Sequence, residues 1–272
     1  MKSVGWYSIV VKKTEELPEN NWVLGFFHSS YENWDGKTWV MNLHELMARD
    51  LALFALGDVK GKKILDVGCG NGVYLLTMAK MGGQVSGQDI SPEAIADNEK
   101  LLRKNGANAE LKVGDAAKLL FGDNSFDGVF SADFFEHISY EQKVRVISEV
   151  YRVLKPGGVF VIKTPNLDYL RISIFLKKIL AILKLRSPFK VHILHTRNNP
   201  DNQHYGLTTY KELERILTDN MFHFPEITYV PLIRKKLPRC ITKFLYGKKR
   251  FTEQIIISTR KPLFYSFYTE SK

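Results

Sequence analysis

The sequence predicts an α/β fold built on a doubly wound, mostly parallel, seven-stranded sheet. Short apolar runs alternate with helix-length segments, turn residues separate them, and a glycine-rich loop follows the first apolar run. Such alternation is typical of a parallel sheet that helices cover on both faces. The chain has 272 residues, of which 44% are hydrophobic and 25% are charged, so it is long enough to bury a large core.

The predicted elements follow one another from residue 43. Helices are predicted over residues 43–56, 72–81, 91–106, 140–154, 167–186 and 209–219. Strands are predicted over residues 63–67, 84–88, 109–113, 126–131, 159–163, 226–230 and 254–259. Ser91 and Thr208 are expected to cap their helices, because a hydroxyl at a helix N-terminus accepts a backbone N–H bond. The segment Lys155–Gly158 is expected to form a turn before the fifth strand.

We expect a single domain over residues 1–272. Residues 1–42 are rich in aromatic side chains and predict an N-terminal cap. Residues 43–164 form the core of the sheet, and residues 165–206 form a helical insertion after the fifth strand. Residues 207–272 complete the sheet and include a basic tail. Because the sheet pattern resumes after the insertion, we place all four parts in one domain.

The chain is basic, with a formal net charge of +10. A basic balance favours anionic partners such as nucleic acid, an acidic membrane surface or phosphorylated substrates. Residues 234–250 hold eight Lys or Arg and no acid, and residues 167–186 predict a basic amphipathic helix. Together these segments are considered as a surface for peripheral contact with an anionic membrane. A solvated basic face, or a helix packed over the site, is the alternative for the same pattern.

The cysteine content and apolar runs indicate the compartment. Cys69 and Cys240 are the two cysteines, which argues against a disulfide framework and favours a reducing environment. The start of the chain lacks the apolar length of a signal peptide. No uncharged apolar run reaches the ~18 residues that a membrane-spanning helix needs. We therefore expect a cytoplasmic protein that would meet a membrane from one side. The oligomeric state stays open.

The loop Ile64–Gly72, ILDVGCGNG, follows the first strand, where ligands bind in doubly wound sheets. Its glycines permit positive φ and let a ligand lie on the backbone. Val73 stands where the dinucleotide pattern has its third glycine, and no Lys-Ser/Thr pair of a phosphate loop is present. The loop therefore suits a nucleoside without phosphates. Asp89 ends the second strand, where a carboxylate can accept hydrogen bonds from a ribose diol, and Asp115 follows the third strand.

These motifs resemble those of the class I S-adenosylmethionine-dependent methyltransferases. The resemblance covers about residues 45–164 and, more loosely, residues 204–260. The small-molecule branch, which includes ubiquinone-pathway O-methyltransferases, is the most similar. The segments that carry the resemblance are Ile64–Gly72, Val85–Ser91, Gly114–Ala116, Phe126–Val129, Phe135–Ile138 and Leu154–Gly158. The resemblance implies the Rossmann-like methyltransferase fold and S-adenosyl-L-methionine as the cofactor.

The resemblance also implies which residues bind the cofactor. They are Asp66, Gly68, Cys69, Gly70, Asp89, Ile90, Asp115, Ala116, Ser131 and Ala132. The loop residues would hold the methionine end, and Cys69 is expected to be a small loop residue and not a nucleophile. Asp89 would take the ribose hydroxyls, and Ile90 and the Asp115 segment would border the adenine. Ser131 and its neighbour would lie near the sulfonium. Helix capping is the alternative role for both Asp66 and Asp89.

Methyl transfer to an alcohol or phenol needs a group that accepts the proton of the acceptor. Histidine suits this role near neutral pH. His137, just past the fourth strand, is the first predicted catalytic residue, and the resemblance places a histidine in the active site there. His204, before the last predicted helix, is the second. A capping or turn role is the alternative for both. His192 and His195 in the insertion are expected to be structural or to line the substrate.

Acidic residues accompany the first of these histidines. Asp133 is predicted to be catalytic, since it could orient His137, and Glu136 lies beside it. The resemblance extends to relatives in which acids at this point help to hold a divalent metal. No full ligand set can be counted here, so we predict no metal site.

The expected function is methyl transfer from S-adenosylmethionine to a small-molecule acceptor. O-methylation is favoured, and a lipid-linked or glycan acceptor is considered. One alternative is a tRNA or rRNA methyltransferase, and another is a non-catalytic S-adenosylmethionine-binding module. Nucleic acid is the less favoured partner, because Thr164–Asn166 differs from the motif of base-modifying relatives and no recognised RNA-binding module is present.

Overall fold

The structure of the chain is a computed structural model that describes residues 43–185, 187–190, 204–230 and 252–263. These residues belong to a compact unit that begins at Leu43. The predicted aromatic cap, the basic tail over residues 234–250, and His192 and His195 lie outside the described residues.

Helices and strands alternate along the described chain. The helices are α1 (Leu43–Leu56), α2 (Val73–Lys80), α3 (Pro92–Lys104), α4 (Tyr140–Val153), α5 (Leu167–Leu183) and α6 (Tyr210–Asp219). The strands are β1 (Lys63–Val67), β2 (Gln84–Asp89), β3 (Glu110–Val113), β4 (Phe126–Ala132), β5 (Leu154–Pro165), β6 (His223–Tyr229) and β7 (Gln254–Arg260). Short 3₁₀ turns cover Phe135–His137 and Pro188–Lys190.

The strands form one seven-stranded sheet in the order β3-β2-β1-β4-β5-β7-β6. Strands β1 to β5 are parallel, whereas β7 runs antiparallel to both β5 and β6. The predicted sheet is therefore confirmed. The chain leaves β1 towards β2 on one side and enters β4 on the other, so the strand order reverses between β1 and β4. Ligands bind at the carboxyl ends of the strands at such a reversal.

Apolar side chains fill both faces of the sheet. Leu65 and Val67 of β1 pack on one face with α4 and α6, whereas Ile64 packs on the other face with α1, α2 and α3. Strand β5 divides in the same way, with Phe160 on the first face and Val161 on the second. A strand covered on both faces explains why the central strands are apolar runs. The same packing holds their carboxyl ends in fixed positions.

Strand β5 differs from the prediction. The expected turn Lys155–Gly158 is part of the strand, because β5 begins at Leu154. Gly157 has a φ of 79°, and the register against β4 shifts between Phe126 and Gly128. This irregularity accommodates the Pro-Gly-Gly run without ending the pairing, because β5 advances five residues where β4 advances two and the ladder absorbs the difference locally.

The start of α6 also differs. Thr209, and not Thr208, is the N-cap, with Oγ1 accepting from the N–H of Glu212 at 3.3 Å. The Glu212 carboxylate accepts in return from the Thr209 N–H at 2.7 Å. This reciprocal pair needs a glutamate three residues after the cap, which Thr209 has. The predicted cap of α3 is confirmed, because Ser91 Oγ accepts from the Ala94 N–H at 3.1 Å.

Candidate functional site

The glycine loop between β1 and α2 has three residues with positive φ: Gly68, Gly70 and Gly72. A Cβ on Gly68 would lie 2.5 Å from the ring of Phe134, and a Cβ on Gly72 would overlap the side chain of Asn98. A Cβ on Gly70 would meet no described atom closer than the Gly68 carbonyl oxygen at 4.0 Å. Protein packing therefore explains the glycines at 68 and 72. Of these three glycines, Gly70 is the one whose Cα has free space beside it among the described residues.

Two side chains hold that backbone in place. Asp89 Oδ2 accepts from the Gly70 N–H at 2.9 Å, and Asp89 Oδ1 accepts from the Ser91 N–H at 3.0 Å. Asn98 Nδ2 donates to the Gly70 carbonyl at 3.1 Å and lies 3.4 Å from Cys69 Sγ. Each carboxylate oxygen of Asp89 keeps a further lone pair, because such an oxygen can accept two hydrogen bonds. Asp89 thus supports the loop and can still accept from ligand hydroxyls.

Burial sets the protonation of the acid in β1. Asp66 is 2% exposed, and burial raises its pKa to about 8, with the neighbouring Asp89 carboxylate adding to the rise. The Asp66 carboxyl is therefore largely protonated at neutral pH. A cationic ligand group beside it would favour the carboxylate. The Cys69 thiol also has a raised pKa, because of burial first and these two acids second, so it stays protonated.

The predicted adenine side of the site lies at the ends of β2 and β3. Ile90 directly follows β2 and is 73% exposed, so its side chain is available to pack on a flat apolar ring. Asp115 is exposed, with Oδ1 accepting from the Ala117 N–H at 2.9 Å, and Ala116 is buried. This arrangement leaves the second carboxylate oxygen of Asp115 for other donors.

Gln88 fixes the loop that follows β3. Its side chain is fully buried, and Nε2 donates to the carbonyls of Asp115 at 2.9 Å and Lys118 at 3.2 Å. Its Oε1 accepts from the Leu120 N–H at 2.9 Å. The Gln88 side chain therefore holds the segment from Asp115 to Leu120, which follows β3, in a fixed position beside the end of β2.

The end of β4 carries two of the predicted cofactor residues. Ser131 is fully buried, and its hydroxyl donates to the Val67 carbonyl at 2.9 Å, which joins the ends of β1 and β4. Ala132 is half-buried at the last position of the strand. Asp133, the next residue, has a φ of 53°, and its carboxylate pairs with the buried Lys163 of β5. The chain therefore turns sharply where it leaves β4.

The two predicted catalytic histidines come together. His137 ends the 3₁₀ turn after β4, His204 precedes α6, and their ring centroids are 4.7 Å apart. Glu136 is 2% exposed and accepts from the Thr164 hydroxyl at 3.0 Å. Burial raises the pKa of Glu136 to about 7, and the charge of Asp133 adds to the rise.

Glu136, His137 and His204 offer a carboxylate oxygen and two imidazole nitrogens that all lie within 4.8 Å of one another. Two histidines and a carboxylate form a donor set that suits divalent transition metals. From the sequence, the acids expected beside His137 were Asp133 and Glu136. The structure places the Asp133 carboxylate on Lys163 and brings His204 to the other two.

Four polar side chains that support the site were not predicted from the sequence. Gln88, Asn98, Lys143 and Lys163 are buried or nearly so. A signal existed for Asn98, which lies on the buried face of α3 that Ile95 also occupies. A polar residue at such a position needs a buried partner, and here the partner is the glycine loop.

The sequence also matches known proteins. A family model described as a methyltransferase domain matches residues 64–158. The chain is 42% identical over 104 residues to a demethylmenaquinone methyltransferase of Chlorobaculum parvum, covering 38% of this chain and 41% of that protein. It is 34% identical over 116 residues to a ubiquinone biosynthesis O-methyltransferase of Xanthomonas oryzae, covering 40% of this chain and 45% of that protein. The chain spans about half the length of the curated relatives it matches.

A solved structure of an S-adenosylmethionine-dependent methyltransferase from Methanosarcina mazei is similar over most of its length. The TM-score is 0.56 at 25% identity, and the match covers 78% of this chain and 97% of that one. The matched family segment runs from β1 to the start of β5, so it includes the glycine loop and the ends of β2, β3 and β4.

Proposed function

Because this chain belongs to the class I S-adenosylmethionine-dependent methyltransferases, we propose that it transfers a methyl group from S-adenosylmethionine to a small-molecule acceptor, with oxygen favoured as the acceptor atom. The observation that carries the proposal is the bare backbone of Gly70, which follows β1 at the reversal of strand order and is hydrogen-bonded to Asp89 of β2.

The residues around Gly70 fit the chemistry of the cofactor. Asp89 has lone pairs for a ribose diol, and the exposed Ile90 beside it offers an apolar surface for adenine. Asp66 is a buried carboxyl that an ammonium group would draw into its charged form. The cofactor has these three groups and no phosphate.

The histidine pair supports the choice of oxygen as the acceptor atom. Bound S-adenosylmethionine supplies a methyl group already activated on a sulfonium, which leaves alignment and proton removal to the protein. His137 or His204 would accept the hydroxyl proton as the C–O bond forms and the C–S bond breaks. Alternatively, Glu136 and the two histidines would hold a divalent ion, which would then polarise the acceptor oxygen in place of a histidine base.

A lipid-linked acceptor is supported by helix α5. At 100° per residue, an arc of about 160° on this helix carries only apolar side chains over its last turns. They are 39% to 73% exposed: Phe175, Leu176, Ile179, Leu180, Ile182 and Leu183. A monomeric soluble surface rarely leaves such a patch uncovered. The relatives named for demethylmenaquinone and ubiquinone biosynthesis are consistent with an apolar acceptor.

Lysines flank the exposed apolar arc of α5 on both of its edges. Lys177, Lys178 and Lys184 are exposed there, and Asp168 in the first turn is the acid of this helix. Lysines beside an apolar face favour insertion of a helix into the interface of an anionic bilayer. No described helix is long and apolar enough to span a membrane. The proposed contact is therefore peripheral.

Vesicle sedimentation tests this contact. The full chain should sediment with phosphatidylcholine vesicles that contain phosphatidylglycerol, and less with phosphatidylcholine alone. Exchanging Lys177 and Lys178 for Gln should remove the preference for anionic lipid, and Phe175→Ser should weaken binding to both. Leu263→Ser, a change at an exposed leucine away from α5, is the control. Equal binding by all variants, or self-association without lipid binding, would contradict the contact.

The methyl transfer itself is tested with labelled S-adenosylmethionine and fractionated small-molecule and lipid extracts. Release of S-adenosylhomocysteine together with label in one extract fraction is the expected result. Asp89→Ala should sharply weaken cofactor binding in calorimetry, whereas His137→Ala should spare binding and lower the rate. A chelator arm tests for a contribution by a divalent ion. Binding without turnover in any fraction would favour a non-catalytic module, and label on RNA would favour a nucleic-acid substrate.

A further inference from the structure

Lys143 joins the two segments that carry the catalytic histidines. It lies in α4, is fully buried, and places Nζ 2.7 Å from the Ile138 carbonyl and 2.6 Å from the Gly206 carbonyl. Ile138 is the residue after His137, and Gly206 lies two residues after His204. A single ammonium group therefore links the backbone of one segment to that of the other.

The two segments also touch directly. The Gly206 N–H donates to the Glu136 carbonyl at 2.9 Å. A Cβ on Gly206 would overlap the Ile138 carbonyl oxygen and lie 2.8 Å from Lys143 Nζ. Glycine is therefore required at 206, because any side chain would push the segments apart. The close approach of the backbones leaves the Lys143 ammonium directly between their carbonyls.

Burial of a lysine has an energetic cost that a purely apolar residue would avoid. Burial lowers the pKa of Lys143 to about 8, while Glu136, Glu212 and Glu141 raise it. The amine thus keeps much of its charge at neutral pH. Hydrogen bonds from a charged donor are stronger than those between neutral groups. Lys143 donates both of its observed hydrogen bonds to carbonyls of the two segments that carry the histidines.

We propose that Lys143 is a positioning residue that holds the segment of His204 against the segment of His137. Its effect on catalysis rests on the proposed methyl transfer, whereas its effect on the two segments does not. Lys143 acts through the backbone and leaves cofactor binding to the ends of β1 and β2.

The first test compares Lys143→Met with Arg145→Met, which removes a charge from an exposed position of the same helix. Hydrogen exchange of the Gly206 amide should become at least about tenfold faster in Lys143→Met, since a charged hydrogen bond holds this segment. Exchange in β1 and β2 and calorimetric affinity for S-adenosylmethionine should stay unchanged. Arg145→Met should match the unmodified chain in every measurement.

Turnover provides the second readout. With the extract fraction that supports S-adenosylhomocysteine release, Lys143→Met should lower kcat at least about tenfold without changing the KM for the cofactor. Lys143→Arg keeps a donor and should restore part of the rate. If no fraction supports turnover, the proposed function fails, while the exchange result still decides whether Lys143 holds the segments.

A second variant covers the case in which Lys143→Met does not fold. Gly206→Ala should accelerate exchange in the same segment and lower kcat in the same way. Where Lys143→Met does fold, the double variant should lose little more than either single variant, because both changes act on one contact. Unchanged exchange at Gly206 in a folded Lys143→Met protein, or a loss of cofactor affinity equal to the loss of rate, would overturn the proposal.

Discussion

Asp133 and Lys163 form an ion pair where β4 and β5 end, with Lys163 Nζ 2.6 Å and 2.5 Å from the two carboxylate oxygens. The lysine side chain is 5% exposed, and the aspartate side chain is 49% exposed. A buried ammonium depends on its partner more than a partly exposed carboxylate does. Asp133 therefore holds the buried Lys163 ammonium, and its catalytic role stays a prediction.

We predict that Asp133→Asn lowers the free energy of unfolding by about 1–2 kcal/mol, because the Lys163 ammonium loses its charged partner. Chemical denaturation measures this change. Asp97→Asn, which breaks the exposed pair with Lys100, should change stability by less than about 0.5 kcal/mol. Equal effects of the two substitutions would mean that burial of Lys163 does not matter.

Gly70→Ala should separate ligand approach from backbone strain. Gly70 and Gly106 both have positive φ, and a Cβ would find room at either position among the described residues. Alanine should cost about 1–2 kcal/mol of stability at each, because of its left-handed backbone. Gly70→Ala alone should weaken S-adenosylmethionine binding, by at least about tenfold in calorimetry, since its methyl group occupies the approach to the backbone. Similar affinities in both variants would exclude a ligand at Gly70.

The stability of the fold should depend on the ionisation of Asp66. Its pKa is about 8 in the folded chain, compared with 3.8 for a free aspartate. Below pH 4 the Asp66 carboxyl is protonated in both the folded and the unfolded state, so its titration does not reduce the free energy of unfolding. Between pH 4 and 8 the unfolded state loses a proton that the folded state keeps, so stability falls by ~1.4 kcal/mol per pH unit. Denaturation of Asp66→Asn should show a flatter pH dependence than the unmodified chain, and parallel curves would contradict the raised pKa.

Cofactor binding should release a proton from Asp66 at neutral pH. The ammonium of the methionine end would favour the carboxylate and lower its pKa. Calorimetric titrations in buffers of different ionisation enthalpy measure this release. The apparent heat should vary with the buffer for the unmodified chain and become nearly independent of it for Asp66→Asn. A heat that varies equally in both would place the released proton on another group.

Asn98→Ala should act on both stability and cofactor binding. Loss of its bond to the partly buried Gly70 carbonyl costs about 1 kcal/mol, the net value of an ordinary hydrogen bond. The loop should then hold S-adenosylmethionine less tightly. Asn105→Ala removes an amide that donates to the Leu101 carbonyl at the end of the same helix, so it should lower stability and spare cofactor affinity.

Much of the fold could be predicted because its signals are local. The strand runs, the cap at Ser91 and the glycine loop are encoded by neighbouring residues. The predictions that failed concern competition between local signals. The Pro-Gly-Gly run of β5 suggests a turn until pairing with β4 is known, and two adjacent threonines compete to cap α6 until Glu212 selects one of them.

By itself, the sequence determined the parallel sheet and the acids at or near the carboxyl ends of β1, β2 and β3, because strand ends in a doubly wound sheet share one edge. Only the tertiary structure decided which side chains meet there. His137 and His204 lie side by side, and Asp133 forms an ion pair with Lys163. Lys143 donates hydrogen bonds to the backbone of both histidine segments. These contacts join segments that are far apart in the chain, and each buried polar group takes the partner that packing leaves within reach.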